Sequence, residues 1–250
     1  MRMKKRTILL MTMVLLLLTS CRLKNSEISR ESLIQDSTTT STIISEAKGR
    51  DEMNYVAGEL ITAVEQANLI QVQAILKDPN YDLNERNNRG ESPLLIATHN
   101  NQIEIAKALI DAKADINLQD HIEDSPFLYA GAQGKTEILA YMLENSQPNQ
   151  AIVNRYGGNA LIPAAEKGHL KNVQLLLKEG STEINHQNNF GYTALIEAVA
   201  LTDGSQIYLE IVQELLKYQA DKTLRDHAGK TAEDYAKELG YNHILAELQK

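Results

Sequence analysis

Residues 159–177 read "NALIPAAEKGHLKNVQLLL". A run through Leu161, Ala164 and Ala165 stops at Gly168, and a second apolar run ends in Leu176-Leu177. Glycine tolerates backbone angles that end a helix, so the stretch predicts two short helices joined by a tight turn. The same punctuation recurs along the chain. Alanines stand at 63, 97, 130, 164 and 198, spaced by 34, 33, 34 and 34 residues, and Ala236 follows after 38. Three positions before each of the first five is an apolar residue: Leu60, Leu94, Phe127, Leu161 and Leu195. Twelve positions after each of the first four an aliphatic pair begins: Ile75-Leu76, Leu109-Ile110, Met142-Leu143 and Leu176-Leu177. In the fifth unit the pair Leu215-Leu216 arrives five residues late. A period of this length marks a stacked array of helix–turn–helix units with small residues where the helices touch.

The array resembles the ankyrin repeat family. The family's Thr-Pro-Leu-His-x-Ala signature is similar to Ser92-Pro93-Leu94-Leu95-Ile96-Ala97 and Ser125-Pro126-Phe127-Leu128-Tyr129-Ala130, and weaker echoes are "NALIPAA" (159–165) and "TALIEAV" (193–199). Its Gly-His-x-x-x-Val-x-x-Leu-Leu section resembles "GHLKNVQLLL" (168–177), where His169 takes the structural histidine position. A hairpin-closing Asn or Asp recurs at Asn87, Asp120, Asn154, Asn188 and Asp226, with glycine three residues later in all but the second, where Glu123 stands. Ser92, Ser125 and Thr193 suit helix N-caps, and Pro93 and Pro126 suit a first helical turn, where a missing N–H costs nothing. The Asn/Asp and Gly pairs suit tight turns, and Glu123 predicts a strained or distorted hairpin. The resemblance implies an all-α ankyrin-repeat solenoid of about six units with β-hairpin-like connecting loops. The repeats fall at about 54–87, 88–120, 121–154, 155–188, 189–226 and 227–250. The first unit puts Glu59, Glu65 and Gln66 on its outside and the last replaces several apolar positions with charge, as suits the water-facing ends of a solenoid.

The stretch "GAQGKT" (131–136) invites a phosphate-loop reading, which the repeat removes. Gly134 aligns with Gly168 and Asn101 in the inter-helix turn, Tyr129 stands where a phosphate loop needs its first glycine, and the preceding segment is helical rather than a strand. Neither a nucleotide nor a nucleic acid is expected as a partner.

Ahead of the repeats, Arg2, Lys4, Lys5 and Arg6 precede an apolar or small run from Thr7 to Ser20, the pattern of a secretory signal. Leu18-Thr19-Ser20-Cys21 resembles a bacterial lipobox, which implies cleavage before Cys21 and lipidation of its thiol. The alternative is an ordinary signal peptide cut nearby, with Cys21 incidental. Cys21 is the single cysteine of the chain, which excludes disulfide frameworks and cysteine zinc sites. The expected domains are a lipoprotein signal peptide (1–20), the lipidated Cys21 with a Ser/Thr-rich flexible linker (21–53), and the repeat domain (54–250). Loss of residues 1–20, with four positive charges, would take the net charge from −8 to −12, which repels phosphate backbones.

Hairpin tips and the inner-helix face are where the resemblance places partner contacts. The positions carried over are Arg89, His121, Tyr129, Arg155, Tyr156 and Phe190, with Ile96, Pro163, Glu197 and Tyr235 at further inner-helix positions. Tyr and Arg dominate interface hot spots, which singles out Arg155, Tyr156 and Phe190. The acidic hairpin "DHIED" (120–124) supplies too few oxygens for a rigid calcium cage and reads as a solvated tip. The insertion "TDGSQIYLE" (202–210) reads as a plain surface loop or as a contact loop using Ile207 and Tyr208. No catalytic motif is present, and neither a cofactor nor a metal is expected. The expectation is a monomeric, membrane-anchored, non-enzymatic protein that binds a protein partner at the cell envelope, on the periplasmic or extracellular face. The alternative is binding or sensing of a small molecule, glycan or metal in the concave groove.

Overall fold

The computed structural model describes residues 55–250; the expected signal peptide, Cys21 and the whole of the linker lie outside the described residues. Among the described residues there are twelve helices and no strand. They pair in order as α1 (Glu59–Glu65) with α2 (Leu69–Ile75), α3 (Pro93–His99) with α4 (Ile103–Asp111), α5 (Pro126–Ala132) with α6 (Thr136–Asn145), α7 (Leu161–Glu166) with α8 (Leu170–Glu179), α9 (Ala194–Ala200) with α10 (Gln206–Lys217), and α11 (Ala232–Leu239) with α12 (Asn242–Leu248). The odd-numbered helices stack on one another as an inner layer, and the even-numbered helices stack as an outer layer.

The periodic residues explain this order. Ala63, Ala97, Ala130, Ala164, Ala198 and Ala236 are fully buried, and a methyl group is as much as closely stacked inner helices admit. Leu60, Leu94, Leu161 and Leu195 fill the layer between neighbours at no more than 1% exposure. Burying each such leucine contributes about 1.5–3 kcal/mol, as an upper range. Ser92, Ser125 and Thr193 accept from the backbone N–H three residues on, and Thr231 with Asp234 forms a reciprocal capping box on α11. In the fourth unit Asn159 takes over, accepting from Leu161 and Ile162 N–H at 3.2 and 3.3 Å. Helix α1 has no side-chain cap of its own. Glu85 from the following loop instead accepts from Gly58 and Ile61 N–H.

The GKT stretch is an inter-helix turn. Gly134 has φ +66°, as Gly168 (+74°) and Asn101 (+54°) have in the neighbouring units. The Thr136 hydroxyl donates to Asn172 Oδ1 at 2.8 Å, and the Asn172 amide nitrogen donates back to the carbonyls of Ala130 and Gly131. The residues that would cradle a phosphate are thus tied into the next repeat, and the His169 ring packs over Gly134.

The insertion in the fifth unit does not stand out as a contact loop. Its first residues make a tight turn at Gly204 (φ +64°) beneath the Tyr241 ring, and the Tyr241 hydroxyl donates to Thr202 O. Its last residues lengthen α10, placing Ile207 and Tyr208 partly buried against the core.

Candidate binding groove

Each hairpin is closed by one side-chain oxygen. Oδ1 of Asn87, Asp120, Asn154, Asn188 and Asp226 accepts from the backbone N–H two and four residues later, at 2.8–3.0 Å throughout. Asn and Asp hold an oxygen at that reach, where Ser and Thr bond more weakly, which favours their recurrence in register. The hairpins are single turns rather than strand pairs. The turn lifts two tip residues clear of the stack, and Ile122, Tyr156 and Phe190 occupy the second tip position in three successive units. All three are more than half exposed, a row of apolar side chains at one level.

Adjacent tips are joined by single backbone bonds. His121 N–H donates to Arg89 O, Asn189 N–H to Tyr156 O, and His227 N–H to Phe190 O, at 2.9–3.1 Å. Among the described residues the equivalent bond from Arg155 N–H to Ile122 O is missing. The hairpin concerned is the one with Glu123 in place of glycine. A Cβ at Gly90, Gly157 or Gly191 would come within 3.0, 3.1 or 2.8 Å of the backbone nitrogen of the next tip. Glu123 carries that Cβ while keeping the turn's φ of +65°, so the hairpin holds its shape and loses its link to the next. The expected departure at Glu123 is therefore a gap between tips more than a distortion.

Beside that gap lies a cavity of about 600 Å³ between the inner helices α5, α7 and α9 and the hairpin tips of the fourth and fifth units. Tyr129, Tyr156, Phe190 and Tyr192 supply aromatic walls, and Asp124, Arg155, Glu166, Lys167 and Glu197 supply charge. Arg155 is held from both sides, 3.5 Å from Asp124 Oδ2 and over the Tyr156 ring at 4.9 Å. Asp124 is therefore not a solvated tip residue: burial pushes its carboxyl up, against the pull of Arg155. Asp120 is buried as the turn closer, so only His121, Ile122 and Glu123 of that hairpin face water.

Glu197 is the unusual member. It is 6% exposed, and Oε1 accepts from the Asn188 amide at 2.7 Å. No cation pairs with it within 4 Å among the described residues. Burial first, and then the neighbouring Glu166, push its carboxyl up to about 7, against the Asn188 bond and Lys167. The terminal unit solves the same problem differently. There Tyr235, also nine residues after the hairpin closer, donates to Asp226, and burial together with that bond pushes the Tyr235 phenol up. In the fifth unit the Asn188 closer donates to Glu197, and in the terminal unit the Asp226 closer accepts from Tyr235.

Of the residues named from sequence, Tyr129, Arg155, Tyr156 and Phe190 line one groove. Arg89 and His121 do not reach it. Arg89 is bound at 2.5 Å to Glu91, itself 5% exposed, and the His121 ring packs beside Gly90. The sequence reading missed Tyr192 and Glu166 as groove residues, it had Ile122 as the tip partner of His121, and it gave Glu197 no role beyond its inner-helix position.

Comparisons with known proteins match this geometry. A family profile described as "Ankyrin repeats (3 copies)" matches residues 60–152, 112–188 and 164–249. The ankyrin repeat protein YahD of Escherichia coli (strain K12) is 41% identical over 99 residues, 40% of this chain; the chain thus spans about half (49%) of that curated relative. The crystal structure of the ankyrin repeat protein EF0377 is 55% identical with a TM-score of 0.78, covering 79% of this chain and 99% of that one. An ankyrin repeat domain from Acinetobacter baumannii AYE is 41% identical with a TM-score of 0.73, covering 76% and 95%. With the helix pairs, the capped inner helices and the Asn/Asp-closed hairpins all in register, the chain belongs to the ankyrin repeat family.

Proposed function

We propose that this chain is a membrane-anchored, non-enzymatic ankyrin-repeat protein that captures a protein partner at the cell envelope through the groove of its third to fifth units. The observation that carries the binding half is the groove itself, where Tyr129, Arg155, Tyr156 and Phe190 converge. Large rigid aromatics and an arginine on a preformed surface offer binding area at little entropic cost. Ankyrin repeats act as scaffolds for protein interaction, and the family profile matched is that of a repeat scaffold rather than of a catalytic domain.

The anchoring half rests on sequence. The apolar run up to Ser20 followed by Cys21 reads as a lipobox. Two or more acyl chains hold a protein stably on a membrane, where one is marginal. Among the described residues no helix is long and apolar enough to cross a membrane. The chain works as a monomer in this reading.

Two variants of the full chain test the two halves. Cys21→Ser should fold normally and leave the membrane fraction; a variant that stays wholly membrane-bound contradicts the anchor. Tyr156→Ala with Phe190→Ala, both exposed tips, should keep the melting temperature within about 3 °C. That variant should lose the proteins that co-purify with the wild type. Unchanged co-purification would remove the groove as the binding surface.

A further inference from the structure

The groove has an electrostatic character that says what kind of partner side chain it takes. Its wall carries three carboxylates, Asp124, Glu166 and Glu197, against two cations, Arg155 and Lys167. Arg155 is already taken by Asp124 and the Tyr156 ring. What remains is a pair of carboxylates against Lys167, whose side chain is on the exposed rim. Glu197 is the deeper of the two, held by Asn188 through one oxygen, with no ion-pair partner among the described residues. Residues 55–250 hold 16 Lys or Arg and 27 Asp or Glu, a net charge of −11, so the surroundings add to the negative field.

We propose that the groove receives a lysine or arginine side chain of the partner protein, passed between Tyr156, Phe190 and Tyr192 with its cationic end directed at Glu197 and Glu166. This assignment rests on the reading that the groove binds a protein. An acidic side chain is repelled and finds no free cation except rim Lys167. An uncharged side chain covers Glu197 and removes its remaining water while giving it no counter-ion, the costly arrangement for a buried carboxylate. A lysine or arginine supplies the counter-ion, and its stem and charge both gain against aromatic faces.

The test measures affinity of the full chain, purified in detergent, for four pools of acetylated pentapeptides. The central residue is lysine, arginine, norleucine or acetyl-lysine, and the flanking positions are randomised. The lysine and arginine pools should bind at least tenfold more tightly than the norleucine and acetyl-lysine pools. In Glu197→Gln, which keeps the Asn188 bond, that preference should fall to within about twofold, and Glu166→Gln should reduce it partially. Unfolding curves of both variants show whether the fold is kept, and Glu166→Gln still decides if Glu197→Gln is unstable. Equal binding of all pools, a preference untouched by both variants, or no binding of any pool overturns the assignment. Free cadaverine binding as tightly as the lysine pool would assign the groove to a small amine instead, and overturns it too. None of these outcomes touches partner capture in cells, which tests the protein-binding reading separately.

Discussion

Single residues carry more of this fold's definition than their size suggests. The Asn or Asp oxygen that ties each hairpin is one atom doing the same task in five units. Glu123 is the residue that breaks the accompanying glycine rule, at a φ of +65°. Replacing it with glycine should relieve the left-handed backbone and let the Arg155 tip approach Ile122 O. The expected gain is up to about 1 kcal/mol in denaturant unfolding, because positive φ costs that much for a residue with a Cβ. A loss of stability would mean that the side chain, not the backbone, decides the hairpin. Glu197 predicts a pH dependence. Its carboxyl is raised in the folded chain to about 7 from the ordinary 4.5, so the folded state binds the extra proton between those values. The contribution of Glu197 to stability is therefore full below about 4.5 and is lost as the pH rises through about 7. Glu197→Gln removes the cost of the buried charge. It should be more stable than the wild type by about 1–3 kcal/mol at pH 8, with the difference vanishing near pH 4. Urea unfolding at the two pH values checks this, and an advantage equal at both would contradict it.

At the scale of helices and turns, most of the arrangement was legible. Inner-helix starts were marked by Ser92, Ser125 and Thr193, the stacking face by alanines 33 or 34 residues apart, and the GKT turn by its alignment with Gly168. Each of these signals marks a feature within one unit and recurs in register in the next. The fate of the insertion was not legible, because it depends on a residue from another unit. Tyr241 lies 37 residues after Gly204, and its ring closes over that turn. Gly204→Ala would bring a Cβ to within 2.5–2.7 Å of the Tyr241 ring, in a left-handed backbone. It should cost about 1–3 kcal/mol in thermal unfolding, with partner capture unchanged. Such a cost identifies the insertion as a brace between the fifth unit and the terminal cap. A neutral substitution would return it to the status of a plain surface loop.

For the molecule as a whole, the groove exists only because tips and inner helices from several units meet. The structure brings Tyr129, Arg155, Tyr156 and Phe190 to one groove, and the repeat resemblance names all four among its tip and inner-helix positions. The resemblance also names Arg89 and His121, and a register alone does not show that Glu91 holds one and that the other packs beside Gly90. Nor does it show that a carboxylate is buried: Glu197 is read as a polar helix residue until the hairpin and the neighbouring helix close around it. Stability and binding divide accordingly. The stacked alanines and leucines hold the array together, and the tips at Ile122, Tyr156 and Phe190 stay exposed. The claim that this groove is where the partner sits is tested most directly by in-cell photo-crosslinking from position 155, with position 249 on the terminal cap as the control. One protein captured from 155 and not from 249 is the expected result. Adducts equal at the two positions, or none from 155 in cells where the chain is abundant, would contradict the account.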